Sequence, residues 1–233
     1  MSVDFDINEI MIQISVWALP VLIAVTLHEA AHGWVASKLG DDTALMLGRV
    51  SFNPLRHIDP FGTVLMPALL LLLSGGRIMF GFAKPVPVNF SRLRRPRRDM
   101  VLVALAGPGT NLLLAIVSAL LFHALWLLPP EGREWVGINL ANSMWINLLL
   151  CVFNMLPLPP LDGGRVAVGL LPYSLASRLA RLERAGMAII LGAIFLLPWL
   201  GDHVGLDLDV FGWLVGVPAQ YLGAAIAKMT GIA

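Results

Sequence analysis

The chain has 233 residues, 58% of them hydrophobic and 13% charged, with a net charge of +1. A soluble domain is about a quarter charged, so this composition excludes an ordinary water-soluble enzyme and predicts a multi-spanning membrane protein. The single cysteine, Cys151, excludes an internal disulfide and any thiolate-based metal or redox centre.

Residues 1–9 carry Asp4, Asp6 and Glu9 but no basic residue, the wrong start for a cleavable signal peptide. The first apolar run, 10–39, is therefore expected to be retained as a transmembrane helix about 45 Å long. Its C-terminal third reads Leu27-His28-Glu29-Ala30-Ala31-His32-Gly33. His28 and His32 are four apart and share one helix face. Two imidazoles so placed can grip one metal ion, and Glu29 lies beside them to take a proton from water. The plain alternative is a polar stripe facing other helices. Ionisable groups within an apolar span are costly and mark function, which favours the metal reading.

Gly40-Asp41-Asp42 ends this helix. In residues 43–61, Gly48-Arg49 between short apolar runs predicts a small β hairpin, with Asn53-Pro54 and Asp59-Pro60 as turns. A bare sheet edge cannot face lipid, so the hairpin must be shielded or line a wet cavity. His57 is a further candidate ligand, with a structural role as the alternative. Residues 62–74 reach only about 20 Å as helix, too short to span comfortably. With Gly75-Gly76 and the proline-rich Ala83–Val88 they predict a re-entrant element over 62–88. The cluster Arg92, Arg94, Arg95, Arg97 and Arg98 reads as a cytoplasmic juxtamembrane anchor rather than a nucleic-acid surface.

Residues 100–128 predict the next span, with Gly107-Pro108-Gly109-Thr110-Asn111 inside it. Residues 136–156 predict another, running into Asn154-Met155-Leu156-Pro157-Leu158-Pro159-Pro160-Leu161-Asp162-Gly163-Gly164. The prolines break the helix, and the irregular backbone can aim Asp162 as a third metal ligand; a turn-forming Asp-Gly is the alternative. Residues 165–185 are expected along the interface, and 186–200 and 211–227 as the last membrane segments.

The fold class expected is a mainly α multi-spanning helix bundle of about five crossings plus the re-entrant element, with a small membrane-associated β hairpin or sheet. It forms one domain, 1–233, with a catalytic core of about 10–166. With the N-terminus outside, the outer loops hold only Arg133 of the sixteen basic residues. That asymmetry obeys the positive-inside rule and puts His28, His32 and Asp162 at the cytoplasmic end of their helices. The expected location is the cell membrane, multi-pass.

His28-Glu29-Ala30-Ala31-His32 with Asn154-x-x-Pro157-x-Pro159-x-x-Asp162-Gly163 resembles the site-2 proteases, the intramembrane zinc metalloproteases. Gly48-Arg49-Val50-Ser51-Phe52-Asn53-Pro54-x-x-His57-Ile58-Asp59-Pro60, Ala83-Lys84-Pro85-Val86-Pro87-Val88 and Gly107-Pro108-x-x-Asn111 are similar to the compact members. The resemblance covers about residues 20–166. Between His32 and Asp162 there is no room for the PDZ or CBS domain of larger members, each of about 100 residues, and only 71 residues follow Asp162.

The resemblance implies one zinc ion per chain held by His28, His32 and Asp162, with Glu29 as general base and acid. Asn154 and, secondarily, Asn111 are candidates to hold the substrate backbone or the oxyanion; interhelical hydrogen bonding is the alternative for each. The implied activity is peptide hydrolysis within or near transmembrane segments of a membrane-anchored protein, so the partners are that protein and the lipid bilayer. An unwound substrate could pair with a strand edge at 44–53 or 84–88. The oligomeric state is open. A divalent-metal transporter would show repeated halves, and none is found in the sequence. A catalytically inactive zinc-binding relative is disfavoured because Glu29 and all three ligands are present.

Overall fold

The computed structural model describes residues 7–66, 69, 81 and 83–232. Four helices among these residues are long and apolar enough to cross a membrane: Met11–Lys38, Pro96–Leu127, Pro130–Asn154 and Glu183–Val204. The expected fifth crossing, 211–227, is helical over Val217–Thr230 with a wider turn before it, but is not among these four. Pro218, Gln220, Tyr221 and Lys228 dilute its apolar character.

The motif helix, Ile7–Lys38, shows why the two candidate ligands His28 and His32 point inward. Val16, Pro20, Ala24, His28, His32 and Ala36 are all buried and follow one another at four-residue steps. That row is a single inward stripe. On the opposite side Leu19, Leu22 and Ile23 are exposed, as suits contact with acyl chains. The stripe packs on two helices, Pro96–Leu121 (the proline helix) and Pro130–Asn154 (the asparagine helix), which also pack on each other.

Lipid gives no hydrophobic incentive for helices to associate, so close packing and polar side chains must hold them. Both are present. Ala115, Ala119, Leu148, Ala219 and Ile226 form a buried cluster of mainly small residues. Asn142 Nδ2 donates to the Val16 carbonyl at 3.0 Å, Trp135 Nε1 to Ser15 Oγ at 3.0 Å, and Ser118 Oγ to Ser143 Oγ at 2.8 Å. The proline helix opens with Pro96, and the buried Asp99 carboxylate accepts the Arg95 N–H at 2.7 Å, closing the first turn.

The expected hairpin is not there: the described residues contain no β-strand. Residues 43–61 instead form a short helix, Thr43–Met46, a left-handed turn at Gly48, a 3-10 turn, Pro54–Arg56, and the start of a wider helical turn, Pro60–Leu65. The turn signals had another use. Asn53 Oδ1 accepts the Leu55 N–H at 3.0 Å, and Asp59 Oδ1 accepts the N–H groups of Phe61 at 3.0 Å and Gly62 at 2.7 Å. An Asn or Asp followed by Pro at the first helical position is a helix start, with its donors satisfied by the cap rather than by a ladder. Residues 84–88 lie in no helix, turn or strand. Neither expected edge, 44–53 nor 84–88, is a strand. Most of the re-entrant stretch, 62–88, lies outside the described residues.

The connection after the motif helix is tied to the segment before the proline helix by Asp41, which is fully buried. Its carboxylate accepts the Thr43 N–H at 3.1 Å, the Thr43 hydroxyl and the Asn89 N–H at 2.6 Å. Burial works against the ionised form, but the Thr43 hydroxyl, the two N–H groups and Arg92 outweigh it and hold the carboxyl below its ordinary value. A lowered folded value gives stability that is present above the unfolded value, near 4, and is lost as pH falls through the folded one. Asp41→Ala is therefore expected to lower stability by about 2–3 kcal/mol at neutral pH. Thermal unfolding of both proteins in detergent checks this: the gap between them should shrink as pH falls below about 4.

Candidate metal centre

After Asn154 the chain turns through its prolines, and Asp162 emerges as the first residue of the helix Asp162–Leu170. That helix packs on the proline helix, beside the motif stripe. A carboxylate there also gains from the positive end of the helix. His28, His32 and Asp162 are each less than a tenth exposed, and one ligand atom from each lies within 4.8 Å of the others. The two Nε2 atoms are 3.0 Å apart, and each is 3.3 Å from Asp162 Oδ2.

The surrounding hydrogen bonds decide what those atoms are. Asn147 Nδ2 donates to the Ser143 carbonyl at 2.8 Å, which turns its Oδ1 toward Asn111. Asn111 Nδ2 donates to that Oδ1 at 2.8 Å and to the Ala24 carbonyl at 3.3 Å. Asn111 Oδ1 then faces His28 Nδ1 at 2.5 Å. An amide oxygen only accepts, so His28 Nδ1 carries a proton and its Nε2 is the nitrogen turned to the centre. His32 is set the same way by the Val103 carbonyl, 2.7 Å from its Nδ1. Asp162 Oδ2 is buried and accepts no hydrogen bond. Two imidazole nitrogens and one carboxylate oxygen therefore face one point. A divalent cation fits that arrangement, and two imidazoles with one carboxylate are a donor set zinc favours with a fourth position left open.

Glu29 stands beside this group, with Oε2 accepting the Val86 N–H at 2.6 Å. A cavity of about 360 Å³ is lined by His28, Glu29, His32 and Asp162 and also by Asn154 and Arg165. A second cavity, of about 200 Å³, shares His28, Glu29 and Asn154 and is otherwise apolar, with Val25, Phe153 and Ile190. Asn154 sits at the helix end between them, and its Nδ2 donates to the Leu150 carbonyl at 3.0 Å. Asn111 is fully buried, with both ends of its amide engaged by protein. It stands behind His28. His57 is not part of the three-residue group; its Nε2 bonds the Ser51 carbonyl at 3.0 Å.

One contributor escaped sequence reading: Asn147 carried no motif, and an asparagine within an apolar helix was its only signal. Gly107, singled out only as part of the Gly107-Pro108-x-x-Asn111 motif, lies where the proline helix crosses the two histidines. A Cβ there would collide with Nε2 of both His32 and His28, the two candidate ligand atoms.

The peptidase family M50 model matches residues 16–131 and 134–198. The chain is 40% identical over 193 residues to "Putative zinc metalloprotease YwhC" of Bacillus subtilis, covering 80% of this chain and 82% of that protein. It is also similar to the proteins named "Putative zinc metalloprotease Rip2" of Mycolicibacterium smegmatis and Mycobacterium tuberculosis. The first is 32% identical over 61% of this chain and 52% of that protein, the second 31% over 84% and 68%. No solved structure matches the chain.

Gly107→Ala is expected to abolish zinc retention because the added methyl group collides with both Nε2 atoms. Asn111→Leu is expected to weaken zinc binding about 10- to 100-fold, since the proton on His28 Nδ1 loses its acceptor. Chelator competition on purified protein measures both.

Proposed function

This chain belongs to peptidase family M50 and is a zinc metalloprotease of the membrane; we propose that it hydrolyses peptide bonds within or near the transmembrane segment of a membrane-anchored protein. The observation that carries this reading is the convergence of two imidazole nitrogens and a buried carboxylate oxygen, with a second carboxylate, Glu29, in one cavity inside an apolar bundle. We assign His28, His32 and Asp162 as the zinc ligands and Glu29 as the general base.

Bound there, zinc supplies a Lewis acid that acidifies water and polarises the scissile carbonyl. The rest falls to the protein. Asn111 and the Val103 carbonyl keep the His28 and His32 protons on the far ring nitrogens. Glu29 takes the proton released by water and returns it to the departing amine. Asn154, on the wall shared by the two cavities, is placed to hold the substrate backbone. The apolar walls from Val25, Phe153 and Ile190 suit the side chains of a former membrane helix, whose own backbone bonds must open before it can be cut.

The orientation with the site toward the cytoplasm rests on charge. Arg92 to Arg98 lead into the proline helix, and Arg97 Nη2 donates to the Leu171 carbonyl just past the Asp162 helix. A dense basic cluster at that end of the bundle favours the cytoplasmic face. The domain expected over 1–233, with its catalytic core over about 10–166, is retained as part of this reading.

Glu29→Gln is expected to keep about one zinc per chain and to lose cleavage of a membrane-anchored substrate by roughly 10²- to 10⁴-fold. Asp162→Ala is expected to lose zinc as well. Zinc content and cleavage of a reconstituted substrate measure both, and cleavage at the wild-type rate in Glu29→Gln would contradict the assignment.

A further inference from the structure

The motifs in 48–60 and 83–88 hold none of the three grouped residues, yet they are hydrogen-bonded to each other, and one N–H of the second reaches the Glu29 carboxylate. Pro85 and Pro87 have no N–H, so the backbone between Lys84 and Val88 holds a single donor, that of Val86. It points at Glu29 Oε2, 2.6 Å away.

The segment is held from both sides. The Lys84 N–H donates to the His57 carbonyl at 2.9 Å. Arg49 Nη2 donates to the Lys84 carbonyl at 2.7 Å and reaches the Pro85 carbonyl at 3.5 Å. The buried Val86 side chain rests on the motif helix at Gly33, where a Cβ would stand 2.9 Å from Val50 Cγ2 and 3.1 Å from Val86 Cγ1. Gly33 thus lets the segment come close enough for its one donor to reach the carboxylate one turn away.

A glutamate has three rotatable bonds, and a general base works only when its oxygen is within hydrogen-bond reach of the proton it takes. We propose that the Ala83–Val88 strap positions the Glu29 carboxylate through the Val86 N–H, and that Arg49 is a positioning residue that holds the strap in register. This rests on the reading of Glu29 as general base. Tying Oε2 to a fixed backbone donor leaves Oε1 to accept the proton. The flanking prolines stiffen the strap and remove the two donors next to Val86.

Val86→Pro deletes the N–H while keeping a proline-rich backbone. Val86→Ala keeps the N–H and removes side-chain packing, which Val86→Pro also disturbs. In the zinc-loaded, detergent-solubilised chain, Val86→Pro is expected to retain zinc and KM while kcat falls about a hundredfold. Val86→Ala should show a loss at least about tenfold smaller. Arg49→Gln should lower kcat with KM and zinc unchanged, and Arg49→Lys should recover part of it.

Hydrogen exchange provides a readout free of turnover. The Val86 amide should be protected in the wild type and exchange faster in Glu29→Ala, with the Lys84 amide unaltered. Equal kcat in Val86→Pro and Val86→Ala, or equal Val86 protection with and without Glu29, overturns the proposal. Should Val86→Pro fail to hold zinc, the exchange comparison and the Arg49 pair decide on the same terms: a joint fall of zinc and kcat in Arg49→Gln overturns the proposal. Cleavage persisting in Glu29→Gln would instead remove the general-base reading, a result separable from these because the exchange measurement does not involve turnover.

Discussion

Two imidazole nitrogens and one carboxylate oxygen are crowded onto one point inside an apolar bundle, and a cation shared among them holds such a group together. The molecule around them is arranged to keep them facing. The i, i+4 row of the motif helix supplies the two imidazoles. The hydrogen-bond chain from Ser143 through Asn147 and Asn111 to His28 sets one tautomer, and the Val103 carbonyl sets the other. In a low-dielectric interior such a chain is worth having only if every member is satisfied, and here each amide end has a partner. The same donors and acceptors would cost stability if one were removed.

The bilayer explains why the chain meets this demand with asparagines, small residues and prolines. With no aqueous solvent to drive helices together, Ala115, Ala119, Ser118 and Ser143 allow close approach, and amide side chains supply attraction. The proline-rich turn before Asp162 breaks regular structure beside the cavity, where freed backbone groups can be satisfied. A soluble protease could tolerate a looser second layer, since water would fill its gaps.

Legibility followed range. The histidine pair and Glu29 are local in sequence, and helical spacing alone put both imidazoles on one inward face. Asp162 could be singled out as a carboxylate freed by a proline break, although its meeting with the histidines is a contact across 130 residues. The long helices were legible from apolar length. Residues 43–61 were misread because Asn-Pro and Asp-Pro mark both turns and helix starts, and only the partner of the side-chain oxygen separates the two. Asn111 could be read as facing the substrate or gluing helices; which it does depends on a bond to His28 eighty-three residues away. Gly107 and Val86 stand in motifs that the sequence shows, but their roles were not legible there, because their significance is what stands opposite them.

The central claim is the ligand set, and zinc K-edge X-ray absorption of the purified wild-type protein tests it most directly. The account predicts a four-coordinate shell of nitrogen and oxygen at about 2.0–2.2 Å, with the scattering of two imidazoles and no sulfur. A third imidazole, which would bring His57 into the shell, or a sulfur donor from Cys151 would contradict it.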